Sequence, residues 1–176
     1  YPMKYTRRPL VFSTLHDIRK MICKSVSIVK EKNISLLHCR SYIAAIAGLR
    51  IKKKYEIPFI FDMRGFWADE RIDGGLWKLS NPIYRIIYKY FKKKEIELIK
   101  RSDFIVSLTA KAKEIILGFK NITIKPEKIS IIPCCADLEH FNYEKCENSI
   151  VKFRDKVGIG AEKFVVSYLG STGTWY

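Results

Sequence analysis

The sequence predicts an α/β protein built on a doubly wound parallel sheet with helices on both faces. Three observations carry that expectation. Segments with apolar residues at three- and four-residue steps alternate with short apolar runs along the chain. The short runs are nearly continuous in apolar residues, as strands covered on both faces are. Helix and strand alternate one for one, the order that parallel strands need for their crossover connections. The composition agrees: 48% hydrophobic and 29% charged residues place the chain with folded globular proteins and exclude a disordered one.

The elements follow in order. Ser13 to Lys32 reads as a helix, with Leu15, Ile18, Ile22, Val26 and Val29 on one face. Ser13 or Thr14 is placed to cap it, with Asp17 as a first-turn acid. Ile34 to Cys39 reads as a short buried strand, with His38 inside it as a hydrogen-bonded core histidine. Ser41 to Tyr55 reads as a helix whose Ala44, Ala45, Ala47 and Gly48 let it lie close to a sheet. Pro58 opens the strand Phe59 to Asp62, and a loop holding Arg64-Gly65 and Gly74-Gly75 follows. Asn81-Pro82 starts a long helix that runs to about Lys100. Ser102-Asp103 breaks it. Phe104 to Leu108 is the next strand, Thr109 to Phe119 the next helix, and Lys128 to Ile132 a strand stopped by Pro133. Asp137 to Ser149 is polar and irregular. Ser149 to Val157 reads as a short helix, and Phe164 to Leu169 as a last strand ending in Gly170-Ser171-Thr172-Gly173-Thr174.

The charge balance bounds the partners. Thirty-three basic residues against 18 acidic ones leave a formal charge of +15, which points to an anionic partner. Much of it sits on the long helix. On a helical wheel Lys78, Arg85, Lys89, Lys92, Lys93 and Lys100 share one side, while Ile83, Ile86, Ile87, Tyr90, Phe91 and Leu98 share the other. Such a helix either lays its apolar face on the sheet or docks on an anionic membrane leaflet. No apolar run approaches the ~18 residues of a membrane-spanning helix. The five cysteines are odd in number and lack zinc-ligand spacing, so free thiols in a reducing compartment and no structural metal are expected.

In a parallel sheet ligands bind beyond the carboxyl ends of the strands. The residues there are Arg40-Ser41, Asp62 to Gly65, Leu108-Thr109, Pro133 to Asp137 and Gly170 to Thr172. The densest cluster is Phe61 to Arg71. Arg64 suits bidentate contact with carboxylate or phosphate. Gly65 allows close backbone approach. Trp67 is a candidate platform for a sugar ring, and Asp69, Glu70 and Asp73 are candidate acceptors for hydroxyls. Asp62 paired with Arg64 or Arg40 in a salt-bridged loop is the alternative. No Ser-His-Asp order or Walker loop is present.

Three segments together resemble the GT-B glycosyltransferases of the large group 1 family, family 4. Ile131-Ile132-Pro133-Cys134-Cys135-Ala136-Asp137-Leu138-Glu139-His140-Phe141 is similar to the family's I-P-N-G-V-D-x-x-x-F signature, with Cys134-Cys135 where Asn-Gly is usual. Asp103 to Thr109 resembles a family strand that leads to a Ser or Thr. Phe164 to Ser171 resembles the first strand of the donor-side domain and its Gly turn. Where many members carry a His after the strand that begins at Pro58, this chain has Arg64, so Asp62 and Arg64 would have to serve in its place.

The resemblance implies a Rossmann-like lobe. Residues 1–141 would form the acceptor-side domain, its own first strand lying before Tyr1. Residues 142–163 would form a linker and short helix, and residues 164–176 would begin the donor-side domain. It implies a retaining transfer of sugar from a nucleotide-sugar to a saccharide or lipid-linked acceptor, in cell-surface polysaccharide synthesis, without metal or other cofactor. Asp62, Arg64, Gly65, Trp67, Arg40, Ser41 and Thr109 would line the acceptor side. Gly170, Ser171 and Thr172 would approach the donor phosphates. Lys78, Arg85, Lys89, Lys92 and Lys93 would face an anionic membrane surface, in a cytoplasmic protein peripheral to the inner membrane. The 176 residues alone are expected to be inactive, because the family's donor-binding residues lie beyond Gly170. Two other readings fit parts of the sequence: a basic nucleic-acid-binding module and a sugar-nucleotide epimerase on the same fold. Salt dependence with oligonucleotides and product analysis separate them.

Overall fold

The computed structural model describes Met3 and residues 10–120, 122–142 and 147–168. They divide into two compact units, Tyr1–Pro133 and Cys134–Tyr176. The first unit is an α/β layer structure. Its elements are α1 (Leu10–Lys32), β1 (Leu37–Arg40), α2 (Ser41–Tyr55), β2 (Phe59–Asp62), α3 (Trp67–Asp73), α4 (Pro82–Arg101), β3 (Phe104–Ser107), α5 (Ala110–Leu117) and β4 (Ile129–Ile131). The four strands pair in parallel in the order β1-β2-β3-β4.

One row of side chains crosses the sheet in register: Cys39, Phe61, Ile105 and Ile129. All four are buried, as is Phe59 two residues before Phe61. Against this face pack Tyr42, Ala45 and Leu49 of α2, Phe91, Leu98 and Ile99 of α4, and Ile116 of α5. Each large apolar side chain so buried contributes roughly 1.5–3 kcal/mol. Consecutive strand order explains the arrangement: crossovers of one hand, always moving the same way along the sheet, deliver their helices to the same face. Side chains alternate between faces along a strand, and the opposite row is more open. There His38 and Arg40 are exposed, and Ile60, Asp62, Phe104 and Ser130 are half-buried.

Local chemistry sets the boundaries. Asn81 Oδ1 accepts from the Ile83 amide at 2.9 Å and caps α4, with Pro82 in its first turn. Thr109 caps α5 by accepting from Ala112 N at 3.1 Å. Glu56 closes α2 with a left-handed φ of 56°. Lys128 Nζ donates to the carbonyls of Ile99 and Lys100, satisfying the end of α4. Asp103 takes the Phe59 amide at 2.8 Å and pairs with Lys52, fixing the start of β2.

Several expectations change. The first strand starts at Leu37 rather than Ile34 and lies at the sheet edge. His38 is therefore exposed, its side chain 60% accessible, and is not a core residue. The loop after Asp62 contains α3, a two-turn helix that the glycines at either end obscured. The apolar side of α4 is not uniformly covered: Phe91, Leu98 and Ile99 are buried, but Ile83 and Ile86 stand 56% and 68% exposed.

In the second unit α6 spans Glu147–Val157, and Arg154 on it gathers the carbonyls of Gly160, Ala161 and Lys163. Phe164 to Tyr168 joins no sheet, contrary to the strand expected there. A short apolar run alone does not make a strand, which needs a neighbouring backbone for its ladder.

Candidate functional site

The carboxyl ends of β1 and β2 bring Arg40, Ser41, Asp62, Arg64 and Gly65 to one edge of the sheet. Arg40 and Asp62 are register partners. Asp62 pairs neither with Arg40 nor with Arg64. Its carboxylate lies 3.3 Å from His38 Nε2. Ser41, the first residue of α2, has a φ of 71°, a left-handed value costly for a residue with a Cβ.

Beyond Asp62 the chain turns sharply. The Met63 amide donates to Val106 O at 3.0 Å, and Met63 is 2% exposed. The Gly65 amide donates back to Met63 O at 2.7 Å, closing a three-residue turn around Arg64. Arg64 has φ of 62°. A turn of this span with its centre in the left-handed region is rare and strained. Arg64 is exposed, and its guanidinium has no hydrogen-bond or ion-pair partner among the described residues.

A polar network underlies the turn. The Tyr42 hydroxyl donates to Glu95 Oε2 at 2.5 Å, with Gly65 O at 3.2 Å as a second acceptor. Glu95 is fully buried on α4, and its other oxygen takes Lys92 Nζ at 2.5 Å. Lys92 reaches on to Asp69 Oδ2 at 2.8 Å, whose Oδ1 accepts the Tyr88 hydroxyl at 2.8 Å. Burial and the adjacent Glu95 carboxylate push the Tyr42 phenol far above its usual range, so it stays a neutral donor. Burial opposes the charge on Lys92, but its two carboxylate partners win and raise its pKa. The sequence held a signal for this network: Glu95 falls four residues after Phe91 and three before Leu98, an acid on the buried face of the helix.

A family model described as Glycosyltransferase Family 4 matches residues 3–140. The chain belongs to that family. No curated relative matches it. A family 4 chain is a glycosyltransferase, acting on a sugar donor and a saccharide acceptor.

Several residues expected in the family 4 cleft have other duties. Trp67 is half-buried in an aromatic cluster. Its ring stacks on Tyr42 at 6.1 Å, meets Trp77 and Phe91 edge-on, and carries the Arg71 guanidinium 4.9 Å from its centroid. Thr109 spends its hydroxyl on the cap of α5. Asp69 is tied to Lys92 and Tyr88. Lys92 turns inward and leaves the outward basic row to Lys78, Arg85, Lys89 and Lys93, which are exposed. Gly170, Ser171 and Thr172 lie outside the described residues. Cys39 is buried, and desolvation, only partly offset by the Gly48 backbone, lifts its thiol to about 11, so it is no nucleophile at neutral pH. Among the described residues no three His, Cys, Asp or Glu side chains gather as metal ligands. No helix among them is long and apolar enough to cross a membrane.

Proposed function

We propose that this family 4 chain is the acceptor-side lobe of a retaining enzyme that moves sugar from a nucleotide-sugar to a saccharide or lipid-linked saccharide, in cell-surface polysaccharide synthesis. Arg64 carries the proposal. An exposed guanidinium without a protein partner, on a strained turn at the end of a central strand, suits the phosphate of a lipid-linked acceptor. The exposed edge of α4 favours an acceptor held at an anionic inner membrane face. Arg85, Lys89 and Lys93 are exposed there, in a helix segment that also exposes Ile83, Ile86 and Tyr90; Lys78, expected on the same helix, precedes its cap and is exposed in the turn before it. Each Lys or Arg near such a surface adds about 1 kcal/mol.

The test uses protein expressed from its complete gene, a panel of nucleotide-sugars and a polyprenyl-phosphate-linked saccharide acceptor. Arg64→Ala should lower kcat/KM by about 10- to 100-fold, the loss of one charged contact at ~1.4–2.7 kcal/mol. Arg64→Lys should recover part of it. Wild-type rates from Arg64→Ala would refute the assignment. The anomeric configuration of the product, read by NMR, decides retention.

A further inference from the structure

We infer that Tyr42 and Glu95 are positioning residues: they hold the strained Arg64 turn in the form that presents its guanidinium. The inference rests on Arg64 being the acceptor contact, but its first test does not.

Three observations lead to it. The turn has little to hold it by itself. Its internal bond is the single Gly65 N to Met63 O contact, and its central residue sits at φ of 62°. Such a conformation persists only where the surroundings over-determine it. The backbone of the turn is hydrogen-bonded from outside by Val106 O on one side and the Tyr42 hydroxyl, at Gly65 O, on the other, while the Glu70 carboxylate lies against Gly65. Second, the hydroxyl is itself fixed. Tyr42 is fully buried, edge-on to Phe61 and stacked on Trp67, so its ring is held by packing. Third, the group that fixes the proton is expensive. A carboxylate with no exposure carries a large desolvation cost, which its bonds from Lys92 and Tyr42 offset. A leucine there would fill the same core without that cost. The acid makes physical sense if its task is orientation.

The chain of contacts runs from α4 through Glu95 to Tyr42 on α2, and from Tyr42 to the backbone of the turn. In parallel, Lys92 and Asp69 tie α4 to α3, which follows the turn directly. The turn is thus held from both sides by groups that lie beneath it. One hydroxyl proton serves two acceptors, so the Gly65 contact is the weaker limb, and it depends on Tyr42 keeping its place against Glu95.

Tyr42→Phe removes the hydroxyl and keeps the ring. Tyr55→Phe is the matched control. Tyr55 lies on the same helix, and its buried hydroxyl has no partner among the described residues. The first readout is amide hydrogen exchange on the 176-residue chain. In Tyr42→Phe, the Met63 and Gly65 amides should exchange at least fivefold faster than in wild type. Those of Phe59 to Phe61 should change less than twofold, and Tyr55→Phe should alter neither. Unchanged protection at Met63 and Gly65, or an equal loss across β2, overturns the inference.

The second readout is kinetic, on protein from the complete gene. Tyr42→Phe should raise KM for the acceptor about tenfold with kcat less affected. In an Arg64→Ala background it should change KM less than twofold, because its route to the acceptor is already gone. Additive effects of the two substitutions overturn it. If the wild-type protein transfers no sugar, the proposed function fails, and the exchange result still decides the clamp.

Discussion

Gly48 lets α2 lie close to the sheet, and replacing it tests how the layers meet. A Cβ built there would lie 2.4 Å from Cys39 Sγ and 3.4 Å from Phe59 Cδ2. Comfortable contact needs about 3.5–4 Å, so the thiol must rotate or the helix must retreat. Cys39 and Phe59 are 7% and 0% exposed, which leaves little room for either. Overpacking of this kind costs about 1–3 kcal/mol. The gain in helix propensity from Gly to Ala returns about 0.8–1.0 kcal/mol. Gly48→Ala should therefore destabilise by roughly 1 kcal/mol, a fall in Tm of about 2–4 °C for a chain of this size. The decisive measurement is the same substitution in a Cys39→Ala background. With the sulfur gone only the helical gain is left, and Gly48→Ala should stabilise by about 1 kcal/mol. The two sites should thus be coupled by about 2 kcal/mol, well beyond the ~0.3–0.5 kcal/mol scatter of independent sites. Urea midpoints of the four proteins, at constant m, give the cycle. Additivity within that scatter would show that the helix does not rest on the thiol.

Other substitutions separate structural from ligand-binding duties. Trp67→Ala should cost about 1.5–3 kcal/mol in thermal or urea unfolding, as loss of a half-buried aromatic packed against the core does; a free sugar platform would leave stability unchanged. Thr109→Ala should lose about 1 kcal/mol and Thr109→Ser nearly none, with acceptor KM the same in both. Hydrogen bonds from Lys53 and Lys94 hold the Glu97 carboxyl down at about 2 in the folded chain, below its ordinary 4.5. Its contribution is present above pH 4.5 and is lost as pH falls toward 2. Urea midpoints between pH 6 and pH 2.5 should fall less steeply in Glu97→Gln than in wild type.

Much of the architecture was legible because it follows from local patterns. Ser41 to Tyr55 and Phe59 to Asp62 fall where the sequence put them. Asn81 and Thr109 announce the helices they cap. The small residues of α2 foretold its close approach to the sheet. The geometry of the candidate site was legible in part. The place of Arg64 just after an apolar strand could be read from the sequence, its exposed turn could not. The aromatic cluster around Trp67 was not legible, since an aromatic near a strand end looks the same whether or not other rings pack on it. The partners of Lys92 were not legible either, because a helical wheel shows which side a lysine takes but not the acid that α3 brings to it.

What the sequence by itself determined is the succession of helices and strands, with their caps and breaks. These depend on residues within a few positions of one another, and neighbours in sequence are always neighbours in space. Only the tertiary structure decided which strand lies at the edge, which face of α4 is covered, and that Tyr42, Glu95, Lys92 and Asp69 meet beneath the Arg64 turn. Tyr42 and Glu95 stand 53 positions apart, and a hydrogen bond over that separation leaves no periodicity in the chain to read.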